Sequence, residues 1–305
     1  MCGVVQGGES MGILHRSLAA GFTALTAMTL HAHTHAQPGF DDPPAHSSVR
    51  LIAEMDAFTP GTSTTIAAVF DLDKGWHTYA DSVNDSGGPL LINWALPDGF
   101  EIGEAIWPAG HRHVQAGGVL DHTFDDRLVV LFPVSVDDDA EIGSDAVISA
   151  SMEWLVCDAN QCVPQFAEAS LELPVKRTSE SGPDAPVIRK TRTEMGKLAT
   201  GARTDAVILE WKGDTLIARN LMGYELEFIP GPGCPAPEDL LESGYAEDGK
   251  LELAFDFEDN SKTEVVGWVR LIAPKGKSLP PIETDLYMIR LQRGEGPARM
   301  LGGPQ

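Results

Sequence analysis

Two cysteines separated by four residues are the residues of this sequence best suited to chemistry. Cys157 ends the apolar run 152–156, and Cys162 stands before Val163-Pro164. The residues between them (DANQ) favour a turn, and two cysteines that flank a tight hairpin turn can come within disulfide-bonding reach. The pair therefore predicts thiol–disulfide exchange, a structural disulfide or metal binding.

The shortness of the intervening loop favours exchange over stabilisation alone. In the chain-entropy model, closing so short a loop contributes about 2 kcal/mol, against more than about 4 kcal/mol for a long loop. Exchange requires a thiolate that attacks a disulfide sulfur, but Asp158 and the lack of Lys or Arg in the loop oppose a thiolate here. We therefore expect a passive relay, which accepts electrons from a more reactive dithiol and passes them to a selected disulfide.

The elements that must position this pair have the pattern of strands separated by turns. Before residue 180, β-branched and apolar runs recur at intervals of about ten residues, with Gly, Pro and Asp between them. The runs are 49–54, 64–71, 90–96, 127–136, 146–156 and 167–175. This spacing is typical of a β-sandwich, which we expect over residues 45–176.

The second half of the chain predicts another β-rich region. Residues 177–185 (RTSESGPDA) mark a break in composition and predict a linker, and Asp184 followed by Pro186 predicts the start of a short helix. Further strand-like runs lie at 206–211, 215–219, 224–230, 251–257, 265–272 and 286–291. We expect a mostly β protein, with a second, smaller β-rich domain over residues 186–293 and a disordered tail over 294–305.

The N-terminus predicts export from the cytoplasm. Arg16 precedes an apolar stretch (SLAAGFTALTAMTL), and small residues suited to cleavage follow it, so residues 1–36 are interpreted as a signal peptide. No other apolar run reaches the ~18 residues of a membrane span. We expect a periplasmic or otherwise extracytoplasmic, secreted chain without a transmembrane segment after cleavage. The formal net charge of −23 disfavours nucleic acid as a partner.

Histidines provide an alternative chemistry. His111 and His113, with His122 nearby in sequence and His77 further away, could bind a metal such as copper. Histidines that do not cluster are more often solvated, so we expect no metal and no cofactor. Cys234, in a Gly- and Pro-rich loop, is interpreted as an incidental residue.

Several short motifs occur in order along residues 45–175. They are GWHTY at 75–79, DSG at 85–87, WALPDGF at 94–100, WP at 107–108, WLVC at 154–157 and CVP at 162–164. In this order they resemble the N-terminal extracytoplasmic domain of DsbD-type thiol:disulfide interchange proteins. The resemblance is in particular to the ScsB-like version with two soluble domains, because FIP at 228–230 and GWVRL at 267–271 extend a weaker likeness over residues 186–272.

The resemblance implies an immunoglobulin-like sandwich with a redox cysteine pair. Such a pair takes electrons from a membrane-embedded thiol donor and reduces thioredoxin-like acceptors, such as disulfide isomerases or cytochrome c maturation factors. Cys157 and Cys162 are the positions carried over, with Cys162 favoured for contact with the acceptor. Tyr79 falls where the family places aromatics near the cysteines, and a capping loop would lie around residues 113–118. We expect His77 and Asp158 to line the site as well.

Two functional hypotheses remain open from the sequence. The chain contains neither the polytopic membrane part, nor the C-terminal thioredoxin domain, nor the Cys-x2-Cys motif of the family it resembles. The first hypothesis is therefore a stand-alone shuttle that needs separate electron donors and acceptors. Such a shuttle could be one component of a protein-disulfide reductase. The alternative is a non-catalytic binding or scaffold protein with a structural disulfide.

Overall fold

The computed structural model describes residues 45–199, 204, 206–220, 222–257, 263–279, 282 and 284–294. The signal peptide expected at residues 1–36 lies outside the described residues, as does all but one residue of the expected C-terminal tail. Within the described part of the chain, no helix has both the length and the apolar character needed to cross a membrane.

The first β region contains ten strands. In chain order they are β1 (Ser47–Ala53), β2 (Ser63–Leu72), β3 (His77–Tyr79), β4 (Leu91–Ala95), β5 (Phe100–Ile102), β6 (His111–Gln115), β7 (Val119–Asp125), β8 (Arg127–Val136), β9 (Asp145–Cys157) and β10 (Cys162–Pro174). One sheet has the order β1-β2-β8-β5. The other has the order β10-β9-β3-β7-β6, and β4 pairs with β9 beside β3.

These two sheets form a sandwich because each presents one apolar face to the other. Along β9 the burial alternates as far as residue 156, so that Ile148, Met152 and Trp154 point into the core while Val147, Ser151 and Glu153 are exposed. The core is completed by side chains of the opposite sheet, among them Ile66, Phe70, Val130 and Phe132. The expected immunoglobulin-like β-sandwich is therefore confirmed.

A short helix, α1 (Ala185–Glu194), lies against the outer face of the first sheet. It begins after Asp184 with Pro186 in its first turn, as the sequence predicts, although the Asp184 side chain makes no capping hydrogen bond. Ile188 and Met195 pack with apolar side chains of that sheet, including Val69. The helix therefore covers an apolar sheet face that solvent would otherwise contact.

In its described residues, the second β region consists of two sheets, one of five strands and one of three. Its elements are β11 (Lys197–Leu198), β12 (Val207–Lys212), β13 (Thr215–Asn220), β14 (Glu225–Pro230), α2 (Leu240–Ser243), β15 (Tyr245–Ala246), β16 (Lys250–Ala254), β17 (Glu264–Ile272) and β18 (Leu286–Gln292). The sheet orders are β11-β18-β17-β14-β15 and β12-β13-β16. Their shared core includes Phe228, Leu253 and Tyr287, so a second β-rich region follows the sandwich as expected.

The two β regions contact each other next to β6 and β7. The Ser82 hydroxyl donates a 2.6 Å hydrogen bond to the Pro230 carbonyl, and the Arg270 guanidinium donates to the Gly110 carbonyl at 3.3 Å. Leu120 of β7 belongs to the apolar core of the second region. The second region is thus fixed to the side of the sandwich that continues into β3.

The segment predicted as a linker lies along the sandwich. The Asp56 amide donates to the Glu180 carbonyl at 2.9 Å, and the Gly182 amide donates to the Glu54 carbonyl at 2.8 Å. Backbone hydrogen bonds thus attach the middle of this segment to the residues that follow β1. The domain boundaries drawn from composition remain predictions.

Candidate functional site

The cysteine pair closes the tip of the longest hairpin in the sandwich. Cys157 and Cys162 face each other as the last paired residues of β9 and β10, and their sulfurs form a disulfide with the Cα atoms 4.1 Å apart. Asp158 organises the turn, because its carboxylate accepts hydrogen bonds from the amides of Asn160 and Gln161 at 2.7 and 2.9 Å. These bonds lower the pKa of Asp158, so a negative charge lies beside the disulfide.

The two cysteines are unequally accessible. Cys157 is 2% exposed, whereas Cys162 is exposed. The Tyr79 hydroxyl donates a 3.1 Å hydrogen bond to the Cys157 sulfur and lies 4.0 Å from the Cys162 sulfur. His77 stands directly opposite Cys157 in the pairing of β3 with β9. A thiol from another protein would therefore meet Cys162 first.

A loop that follows β3 holds Tyr79 over Cys157. Gly87, at φ +79°, lies flat against the Tyr79 ring, so closely that a Cβ atom at this position would stand 2.3 Å from a ring carbon. The loop is tied to β7 by Asp121, which accepts hydrogen bonds from the Ser86 amide at 2.8 Å and from the Ser86 hydroxyl at 2.6 Å. The DSG motif therefore holds the Tyr79 ring that covers the buried sulfur.

The segment expected to cap the pair, residues 113–118, runs from the neighbourhood of His77 to the second β region. His113 belongs to β6, where its ring is 5.1 Å from that of His77, and Gly118 in the following turn lies against Leu241 of the second β region. Sequence reasoning identified Tyr79 but missed Gly87. The glycine of the DSG motif was the only sequence signal for this role, because a backbone with positive φ favours glycine.

Tyr79 donates a hydrogen bond to the Cys157 sulfur, and neither Tyr79 nor the neighbouring His77 carries a positive charge at neutral pH. Burial raises the pKa of Tyr79, so the phenol keeps its proton at neutral pH. Burial, and secondarily His113, lower the pKa of His77, so its imidazole is neutral. Together with the ionised Asp158, this environment lacks the positive charge that activates reactive cysteines.

The structure does not bring the remaining candidate residues to the pair. His111 is exposed on β6 and His122 is completely buried on β7. Among the described residues, no group of three or more histidine, cysteine or acidic side chains is arranged to hold a metal ion. Cys234 is buried in the core of the second β region.

His122 is expected to make stability depend on pH. Its Nδ1 is 2.9 Å from the Val83 carbonyl and so carries the proton, whereas the buried Nε2 has no partner. Burial lowers the pKa of His122 below its ordinary value of 6.5, so the unfolded chain binds more protons in this range. Stability is full above pH ~6.5 and is lost as the pH falls toward the folded-state pKa, by at most about 1.4 kcal/mol per pH unit for this group.

The measurement is urea unfolding between pH 7.5 and 5.5. His122→Asn keeps a donor for the Val83 carbonyl and removes the titration, so we expect a clearly shallower dependence. Some dependence of stability on pH should remain in the variant, because the pKa of His77 is also lowered. A slope in the variant as steep as that of the parent protein would contradict this account of His122.

The class of protein is thus a β-sandwich that carries a partly exposed disulfide at the tip of a hairpin. Residues 48–174 match the family described as thiol:disulfide interchange protein DsbD, N-terminal. This segment extends from β1 to the end of β10 and contains both cysteines. Over these residues the resemblance to a DsbD-type N-terminal domain, drawn from the motifs, is confirmed.

Solved structures of low sequence identity are also similar to the chain. The N-terminal periplasmic domain of ScsB from Proteus mirabilis is 16% identical, with 82% of this chain and 95% of that chain covered at a TM-score of 0.45. The N-terminal domain of Neisseria meningitidis DsbD in the reduced form is 11% identical, with 43% and 89% covered and a TM-score of 0.25. A search of curated proteins gave no match.

Proposed function

We propose that the protein is an extracytoplasmic thiol–disulfide interchange protein that relays electrons through Cys157 and Cys162 to thioredoxin-like acceptors. The observation that carries this proposal is the asymmetry of the disulfide, in which Cys162 is exposed and Cys157 is buried under Tyr79. The match of residues 48–174 to a periplasmic family of interchange proteins supports it. A membrane-embedded thiol protein is the donor class that this family implies.

The first half of the cycle reduces the pair. A thiolate of the donor attacks the Cys162 sulfur, the bond between Cys162 and Cys157 breaks, and Cys157 leaves with the electron pair and takes up a proton. The Tyr79 hydroxyl, at 3.1 Å, can stabilise the developing charge on Cys157. The donor's second thiolate then attacks the mixed disulfide, which releases Cys162 as a thiol and leaves the donor oxidised.

The second half transfers the same two electrons to the acceptor. The Cys162 thiolate attacks the acceptor disulfide and forms a mixed disulfide, and one acceptor sulfur leaves as a thiol. Cys157 then attacks Cys162, which restores the disulfide of this protein and frees the reduced acceptor. Because Cys157 lies directly across the hairpin from Cys162, this resolving step needs little movement of the backbone.

A scaffold protein with a structural disulfide is the competing function, and the burial of Cys157 is the observation that favours it. The reduction potential separates the two functions. A relay should equilibrate with thioredoxin-like proteins at about −200 mV, whereas structural disulfides lie below about −300 mV. We expect a value near the former.

The potential can be measured by equilibration in buffers of defined redox poise, followed by alkylation of free thiols and mass spectrometry. A Cys234→Ser background removes the buried third thiol from the count. A Cys157–Cys162 bond that stays oxidised at about −300 mV would contradict the relay and favour the scaffold.

A further inference from the structure

Exposed apolar side chains continue from the disulfide along one face of its sheet. Cys162, Pro164 and Phe166 alternate on β10 and are all exposed, so they share the outer face of the sandwich. Phe166 is 67% exposed, and Leu91 on β4, at 51%, extends the same face. We name Pro164, Phe166 and Leu91 the outer strip.

The outer strip crosses β9 from β10 to β4, with one carboxylate between its apolar side chains. Phe166 pairs with Glu153 on β9, and Glu153 pairs with Leu91 on β4. The two apolar side chains therefore flank one carboxylate, and they line a shallow groove of about 420 Å³ together with Glu168 and others. Phe166 is four residues from Cys162, which corresponds to ~13 Å along a strand.

We propose that the outer strip is the surface on which the thioredoxin-like partner docks, an inference that rests on the proposed function. A partner whose thiol reaches the Cys162 sulfur covers part of the surrounding sheet. A standard interface buries about 800 Å² on each side, which is a patch roughly 30 Å across. The outer strip falls inside such a patch. Pro164 and Phe166 lie on the side of β9 away from β3, and Leu91 lies on the same side of β9 as Tyr79.

The chemistry of the outer strip specifies the surface that it fits. Phe166 and Leu91 require apolar side chains on the partner near its thiol. The exposed carboxylate of Glu153 between them requires a basic side chain within this apolar surface, and that of Glu168 requires one at its rim. A second copy of this chain fits less well, because its own acidic rim and its net charge of −23 would oppose association. The favoured occupant is therefore a thioredoxin-like protein with an apolar collar and a basic rim.

The test compares two reductants of the disulfide in the full chain, namely reduced thioredoxin and dithiothreitol. In the variant Leu91→Ser/Phe166→Ser, we expect the rate with thioredoxin to fall about tenfold, equivalent to about 1.4 kcal/mol. The rate with dithiothreitol should not change, because the small reductant needs no docking surface. Val147→Ser is the matched control, since Val147 is 45% exposed on the same face of β9 but ~33 Å from Cys157.

A charge variant provides an independent measurement. Glu168→Lys should slow reduction by thioredoxin carrying a basic rim, and the difference from the parent protein should shrink as salt is added. Unfolding curves of the parent protein and of each variant verify that the sandwich is intact.

The outcomes separate this inference from the proposed function. Reduction of the parent protein by thioredoxin no faster than by dithiothreitol at equal thiol concentration would count against the relay itself. Rapid reduction of the parent and of all variants alike would overturn the docking surface alone. A dimer of the parent protein that dissociates in Leu91→Ser/Phe166→Ser would assign the outer strip to self-association and would also overturn it.

Discussion

The variant Cys157→Ala is expected to accumulate as a mixed disulfide with a thioredoxin-like protein when it is produced in its native cell. The remaining Cys162 is exposed, so it can attack a partner disulfide. The mixed disulfide then persists, because the sulfur that would resolve it is missing. Non-reducing electrophoresis and mass spectrometry of the trapped species would identify the partner, and we expect the trapped complex to be the main form of the variant.

The variant Cys162→Ala is the matched control and should trap almost nothing. The thiol of the pair that remains, Cys157, is 2% exposed and lies under Tyr79, and buried thiols of this kind are unreactive. The double variant without either cysteine sets the background. Equal trapping by the two single variants would refute the assigned order of attack, and no trapping by either would refute the relay.

The long strands could be predicted from the sequence because their periodicity is strong. The structure places β8 at Arg127–Val136 and β9 at Asp145–Cys157, in agreement with the predicted runs to within one residue at each end. The first part of β10 was missed, since the predicted run begins only at residue 167. Pro164 argues against a strand in this part of the sequence. A proline is tolerated there because β10 lies at the edge of its sheet.

The short polar strands could not be predicted, because neighbouring strands determine their conformation. Neither β3 (HTY) nor β6 (HRHVQ) has an apolar alternation. Both are fixed by pairing, β3 between β7 and β9 and β6 along β7. Since β3 carries Tyr79 and His77, the part of the site that covers Cys157 depends on strand pairing between distant residues, which the local sequence does not indicate.

The same limit applies to the accessibility of the sulfurs. The spacing of the cysteines sufficed to predict that they could pair, but not which one would be exposed. That property depends on Tyr79, 78 residues away from Cys157 in sequence, and on the loop that presses against its ring. Gly87 is the residue of this loop that makes the close approach possible.

Replacement of Gly87 with alanine is therefore expected to destabilise the fold and to expose the buried sulfur. A residue with a side chain at φ +79° costs about 1–2 kcal/mol. The added Cβ must also displace the Tyr79 ring, and overpacking of this kind costs a further ~1–3 kcal/mol. Gly143→Ala isolates the first cost, because Gly143 has φ +94° and nothing within 4 Å of a Cβ atom.

The decisive readout combines the free energy of unfolding in urea with the rate at which dithiothreitol reduces the disulfide. Gly87→Ala should lose more stability than Gly143→Ala, and only Gly87→Ala should be reduced faster than the parent protein, because the displaced ring no longer shields the Cys157 sulfur. If both variants lost the same stability and kept the parent's rate, Tyr79 would not be held over the disulfide by this loop. The asymmetry between the two cysteines would then need another cause, which makes this glycine the most direct test of how the fold selects the sulfur that reacts.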